Sequence, residues 1–277
     1  MRNPHFAAYS FVDRITEFDA GRRARGTFAI PSNVDAFPSA LVAEAVGQLA
    51  AWVAMDAIDF RGRPVAALAN ETRFLADAQP GARLALAVDI QQCDDDAVAY
   101  DGRASVGGRT IIELADCLGP MLPVADFDSP DALRERLALL RDGGAPEGRF
   151  EGVGDIAVDI KERVLGRSLH ATIDVPSAAP FFADHFPRRP VFPATLLLDL
   201  MMRQALDVAR AREALGENAR ATRVTHVKMR SFIVPSQRLD VDVALDRIDD
   251  GLARAMLSAK TDGKLVASAR LELAKGD

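Results

Sequence analysis

One histidine and two carboxylic acids stand out in the 277 residues, and their types suit proton transfer. His185 lies in a loop dense in aromatics and prolines, Phe181-Phe182-Ala183-Asp184-His185-Phe186-Pro187-Arg188-Arg189-Pro190-Val191-Phe192-Pro193-Ala194. The loop runs into an apolar helical stretch whose first turns carry one charge, Asp199. Glu44 is the single formal charge in a second apolar stretch, Ala36 to Met55. A neutral histidine near its usual pKa suits a general base. A carboxyl kept protonated by apolar surroundings suits a general acid. Burying Glu44 ionised and unpaired would be costly, so a raised pKa is expected of it; the bland alternative is a carboxylate that pairs with an arginine or caps a chain end. Gln48, one helical turn further on, would orient that carboxyl or a substrate, or simply belong to a polar stripe.

The elements that position these groups come in two similar sets. A shift of 155 places Phe37-Pro38-Ser39-Ala40-Leu41 on Phe192-Pro193-Ala194-Thr195-Leu196, Glu44 on Asp199, Arg73 on Lys228 and Gly108-Arg109 on Gly263-Lys264. Upstream, a shift of 145 aligns Gly21-Arg22 with Gly166-Arg167 and Pro31-Ser32 with Pro176-Ser177. The ten-residue difference falls where Asn33 to Asp35 stand opposite Ala178 to Pro190, the histidine loop. Each half reads as a short strand (Gly26 to Ile30; His170 to Val175), a long apolar helix and then alternating segments. In the second half those segments are Thr222 to Val234, Leu239 to Leu245, Ala253 to Lys260 and Lys264 to Leu273, separated by Pro235, Asp249-Asp250-Gly251 and Asp262-Gly263 as turns. This predicts an α+β protein with two repeats, residues 1–122 and 150–277, each a helix wrapped by an antiparallel sheet. The charged connector 123–149 is expected to hold a short helix, Asp131 to Arg141, capped by Ser129.

Composition sets outer bounds. With 34 Lys+Arg against 40 Asp+Glu and 49% hydrophobic residues, the chain reads as an ordinary globular protein rather than a dedicated nucleic-acid binder. The Ala36 to Met55 stretch contains Pro38, Gly47 and Gln48 and favours Ala over Leu, so a buried core helix is expected there rather than a membrane span. Two cysteines, Cys93 and Cys117, make no disulfide framework, and no signal-peptide pattern opens the chain; a cytoplasmic location is expected. His5, His170 and His226 are scattered and give no metal-site spacing. Gly152-Val153-Gly154-Asp155-Ile156-Ala157 matches a dinucleotide fingerprint by letter only, and a turn is expected instead.

From His185 to Asp199 the sequence resembles the hotdog-fold 3-hydroxyacyl-acyl-carrier-protein dehydratases of fatty acid synthesis. Their pattern, H-F-P-x-x-P-V-x-P-G-x-L-x-x-E/D, is followed at the same spacing. With the repeat, the resemblance implies a double hotdog. It implies dehydration of a 3-hydroxyacyl thioester to the trans-2-enoyl thioester, with His185 as base. The substrate would ride on the phosphopantetheine of an acyl carrier protein, in a fatty acid, polyketide or aryl-polyene route, and no metal or redox cofactor is implied. In single-domain relatives the histidine comes from one protomer and the carboxylate from the helix of the other. A fused pair would therefore join His185 to Glu44 as acid and leave Asp199 as the carboxylate of a dead site; motif spacing alone would pair His185 with Asp199 instead. The fused pair acts as a dimer within one chain, with a homodimer of such chains as a further option.

Two positions depart from the family pattern: Asp184 and Ala194 replace glycines. The Ala194 N–H at a helix start still suits the thioester oxyanion. Phe182, Phe186, Phe192, Leu196 and Leu197 are candidates to line an acyl tunnel, and Arg188 and Arg189 to meet the carrier protein or its phosphate. The rival readings are a hotdog acyl thioesterase and a non-catalytic binder of acyl chains or acyl carrier protein.

Overall fold

The computed structural model describes residues 8–65, 68–249 and 251–276, so His5 lies outside the described residues. The first half supplies β1 (Arg14–Asp19), β2 (Arg23–Ala29), α1 (Ser39–Ala57), β3 (Gly62–Pro64), β4 (Leu68–Phe74), β5 (Arg83–Cys93), β6 (Ala97–Val106) and β7 (Arg109–Pro123). After α2 (Pro130–Asp142) come β8 (Val158–Val164), β9 (Ser168–Asp174), α3 (Ala194–Arg210), β10 (Ala219–Met229), β11 (Arg238–Asp249), β12 (Leu252–Thr261) and β13 (Lys264–Lys275). One antiparallel sheet runs β1-β2-β5-β6-β7-β4-β10-β13-β12-β11-β9-β8, with β3 paired to β7. Read inward from either edge, the strands follow one scheme: two that precede the long helix, three later ones, then the strand that follows the helix. The two inner strands, β4 and β10, meet at the middle and close a continuous sheet.

Burial explains the elements. Along β12, buried residues alternate with exposed or half-buried ones, the period-two pattern of a strand with one face on a core. Helix α1 is apolar on most of its circumference because it is enclosed: Leu41, Val46, Leu49 and Val53 are all essentially inaccessible. Among the described residues it is the helix long and apolar enough to cross a membrane, yet most of it is buried inside the fold. Helices α1 and α3 pack on each other within the sheet. Gly102 shows how closely sheet and helix approach, since a Cβ there would lie 2.3 Å from Cγ1 of Val46.

The structure refines the sequence reading in three places. Strands β1 and β8, at the two sheet edges, were not anticipated. Their exposed, charge-rich faces, such as Val158–Val164, mask the alternation. The segment expected as a strand from Thr222 to Val234 leaves the sheet after Met229, because the Phe192 N–H takes the Ile233 carbonyl (2.7 Å) and draws residues 230–234 towards the start of α3. The charged connector is packed against the fold. Ser129 Oγ accepts from the Ala132 N–H (3.5 Å) at the start of α2, Leu133, Leu137 and Leu140 are buried, and the Arg136–Asp128 ion pair (2.8 Å) is buried with them. Residues 151–157 form no regular element and lead into a strand rather than a helix, which removes the dinucleotide reading.

Candidate active site

The histidine loop is built by its own backbone. A 3₁₀ turn over Pro180–Ala183 lets the His185 N–H reach the Phe181 carbonyl (2.9 Å), and the Val191 N–H closes the loop on the His185 carbonyl (3.0 Å). His185 Nδ1 lies 2.9 Å from the Val191 carbonyl oxygen. A carbonyl only accepts, so Nδ1 carries the proton and neutral His185 keeps its lone pair on Nε2. Burial pushes the imidazole below its ordinary pKa, opposed by the nearby Glu44 carboxylate. The ring stacks on Phe186 at 4.1 Å and meets the edge of Tyr9 at 5.7 Å.

Glu44 projects from the second turn of α1 into a hydrogen-bond network. Gln48 Nε2 donates to its Oε1 (3.0 Å), and the Thr195 hydroxyl, from the first turn of α3, donates to its Oε2 (2.8 Å). The Thr195 hydroxyl lies 2.7 Å from the Tyr9 hydroxyl, which must then be the donor in that contact. Gln48 is held in turn by the Phe11 N–H (2.7 Å) and the Tyr9 carbonyl (2.9 Å). This corrects the expected apolar setting: Glu44 sits among oriented polar partners within an apolar core. Burial and the Glu44 charge push the Tyr9 phenol well above its ordinary pKa, so it remains a donor.

Both groups line one cavity of about 710 Å³, together with Gln48, Phe186, Phe192, Arg189 and Ala194. Ala194 opens α3, and among the described residues no hydrogen-bond acceptor takes its N–H, which leaves a donor at the positive end of a helix dipole. The cavity continues along α1 past Gly47, Ala51 and Trp52 to Tyr100 and Cys117. Burial pushes the Cys117 thiol up to about 12, so this wall is chemically quiet. Phe182, on the 3₁₀ turn, and Leu196 and Leu197, on α3, do not line the cavity; they are core residues.

Asp199 is also absent from the cavity wall; it pairs with Arg203 one turn along α3 (2.5 Å). The pairing of His185 with Asp199 that motif spacing suggests is therefore not what the fold brings together. Arg188 is exposed and donates to the Ala125 carbonyl (3.0 Å), while Arg189 lies over Phe232 at the cavity wall. His170 bonds Asp242 (2.8 Å) and His226 is exposed, both away from the site. Three contributors escaped the sequence reading: Tyr9, Thr195 and Arg63. Of these only Thr195 had a signal, a hydroxyl residue in the first turn of the helix after the histidine loop. Asp184 gains a local explanation, since its Oδ2 accepts from the N–H groups of Ala8 (2.9 Å) and Tyr9 (2.8 Å) and fastens that segment over the site.

Comparison with known proteins places this architecture. Residues 161–270 match the ApeI-like family, described as ApeI dehydratase. The 3-hydroxyacyl-[acyl-carrier-protein] dehydratase FabZ of Vibrio vulnificus is 34% identical over 124 residues, 44% of this chain and 81% of that protein. The FabZ of Dechloromonas aromatica is 29% identical over 126 residues, 42% and 86% respectively. Among solved structures, a tesB protein of Mycobacterium avium subs paratuberculosis superposes with a TM-score of 0.59 at 14% identity, covering 94% of this chain and 96% of that one. An acyl-CoA thioesterase II, TesB2, of Mycobacterium marinum gives 0.53 at 13% identity, with 94% of each chain covered. The structural neighbours show that nearly the whole chain has a hotdog-like fold. The chain belongs to the hotdog-fold dehydratase family.

Proposed function

We propose that the protein dehydrates a 3-hydroxyacyl thioester, carried on the phosphopantetheine of an acyl carrier protein, to the trans-2-enoyl thioester. The observation that carries this reading is the shared cavity. It joins a histidine with a free Nε2, a carboxyl from another helix and an unclaimed helix N-terminal N–H. His185 Nε2 removes the α-proton, and the electron pair of that C–H bond moves onto the thioester carbonyl, whose oxyanion is held by the Ala194 N–H. The pair returns to form the Cα=Cβ bond as the Cβ–O bond breaks and Glu44, which must enter the cycle as the neutral acid, delivers its proton to the leaving hydroxyl, releasing water. The proton on His185 then restores Glu44. We further read the chain as a fused duplicate, residues 1–122 and 150–277 joined by 123–149, with one working site in which His185 and Glu44 come from different repeats. The shared strand scheme and the coincidence of the α1 and α3 starts under the 155-residue shift support that reading.

The test is ultraviolet-monitored formation of the enoyl product from 3-hydroxyacyl carrier protein. Wild type should turn over, His185→Ala and Glu44→Gln should lose about 10² to 10⁴-fold, and Asp199→Asn should stay active. Loss in Asp199→Asn with Glu44→Gln active would overturn the pairing. Release of free carrier thiol from acyl substrates, with no enoyl product, would establish a thioesterase instead.

A further inference from the structure

Arg63 is a cation in the cavity wall that the reaction scheme leaves without a task. It sits on β3, a three-residue strand pinned to β7, where a Cβ at the neighbouring Gly62 would lie 3.0 Å from Ile58 and 3.3 Å from Met121. Its guanidinium carbon stands 4.1 Å from the centre of the Phe186 ring. The His185 imidazole stacks on the same ring, also at 4.1 Å and tilted by 23°. Two groups at that distance cannot share one face, so Phe186 is sandwiched between them, with Phe127 against its edge at 5.2 Å. The acid that most favours its charge, Asp128, is already engaged by Arg136, and among the described residues Arg63 makes no ion pair within 4.0 Å. We propose that Arg63 is a positioning residue for His185: its guanidinium clamps Phe186 against the imidazole, fixing the ring's plane and favouring its neutral form.

The charge argument agrees with the stacking. Burial draws Arg63 down to about 10, which leaves it cationic at neutral pH. The ionisable groups around His185 are Glu44 from α1, Asp184 from its own loop, the Tyr9 phenol and Arg63; Glu44 raises the imidazole's basicity and Arg63 lowers it. A cation stacked through one ring disfavours a second cation on the imidazole, and a planar guanidinium can spread over an aromatic face in a way an ammonium cannot.

The proposal rests on His185 being the base, and its test is read both with and without substrate. In Arg63→Gln, the His185 ring titration followed by NMR, with the resonance assigned through His185→Gln, should rise by roughly half a unit to one unit. The acid limb of kcat/KM should move up with it. In Arg63→Lys the titration should stay within about 0.3 units of wild type, while kcat falls about tenfold from the lost clamp. An unmoved titration in Arg63→Gln, or wild-type kcat in Arg63→Lys, would overturn the proposal. Failure of the wild type to form enoyl product would overturn the proposed reaction and leave the substrate-free titration as a separate result.

Discussion

Asp184 offers a sharp prediction, because the dehydratase pattern has glycine at this position. On the pattern alone, Asp184→Gly would restore the usual residue and improve the enzyme. The structure predicts the reverse. The Asp184 carboxylate receives two backbone N–H groups, from Ala8 and Tyr9, at 2.9 and 2.8 Å. Allowing for a site that is only partly buried, each such bond is worth about 1–1.5 kcal/mol. Together with the freer backbone of glycine, their loss should weaken docking of this segment by about 2–3 kcal/mol, equivalent to roughly 30- to 150-fold in its docked population. The Tyr9 ring, packed on Phe11 at 4.9 Å and on Phe181 at 6.3 Å, resists release. The damage should therefore appear as faster local opening before global unfolding. Hydrogen exchange at the Ala8 and Tyr9 amides should accelerate by that factor, and kcat/KM should fall by about tenfold or more, since Tyr9 supports both Thr195 and Gln48 around Glu44. Asp184→Asn keeps an acceptor oxygen without the charge and should fall between. Activity in Asp184→Gly at or above wild type, with amide exchange unchanged, would refute the reasoning.

Two further outcomes follow from a buried carboxyl and a close packing contact outside the site. Burial pushes Asp13 to about 6, although its Oδ2 accepts from the Ala29 N–H (2.6 Å). The native state therefore binds an extra proton between the unfolded pKa, near 4, and about 6, and stability falls as pH rises through that window. Asp13→Asn should remove the slope and be more stable at pH 8 by up to about 3 kcal/mol in urea unfolding; an identical slope in both proteins would count against the assignment. Gly102→Ala would place a methyl 2.3 Å from Val46 and 3.2 Å from the Ala87 carbonyl, so about 1–3 kcal/mol of stability should be lost. Calorimetry should then show a Tm lower by roughly 2–4 °C per kcal/mol, and an unchanged Tm would mean that the sheet yields there.

The sequence disclosed those parts of the molecule whose cause is local. The apolar run around Glu44 read as an enclosed helix, and Ser129-Pro130 as the opening of one, because helix burial and capping act within a few residues. The histidine loop announced itself through its resemblance to the dehydratase pattern, and its own backbone bonds close it. Glu44 and His185 were joined by the repeat together with what the family resemblance implies, since they lie 141 positions apart and no local pattern joins them. What stayed hidden depends on contacts across the fold. Tyr9 reads as an unremarkable residue near one end of the chain until Asp184 fastens it, and Arg63 as a surface arginine until β3 pairs with β7. The outer strands were obscured for the opposite reason: with little to bury, their sequences lack the alternation by which a strand is recognised.

The proposed duplication also accounts for the difference between its two carboxylates. Under the 155-residue shift Glu44 and Gln48 correspond to Asp199 and Arg203, and Thr195 corresponds to Ala40. Both pairs close one helical turn, but with different partners: Gln48 gives Glu44 a neutral donor, whereas Arg203 gives Asp199 a full positive charge. A neutral donor orients a carboxyl without placing a cation beside it. Burial still pushes Asp199 above the ordinary carboxylate range while the Arg203 guanidinium at 2.5 Å opposes it, and the alanine at position 40 offers no hydroxyl to turn the carboxylate towards the opposite helix. On this reading the second site was lost in two ways: its histidine loop went with the ten-residue gap, and its carboxylate is held in an ion pair.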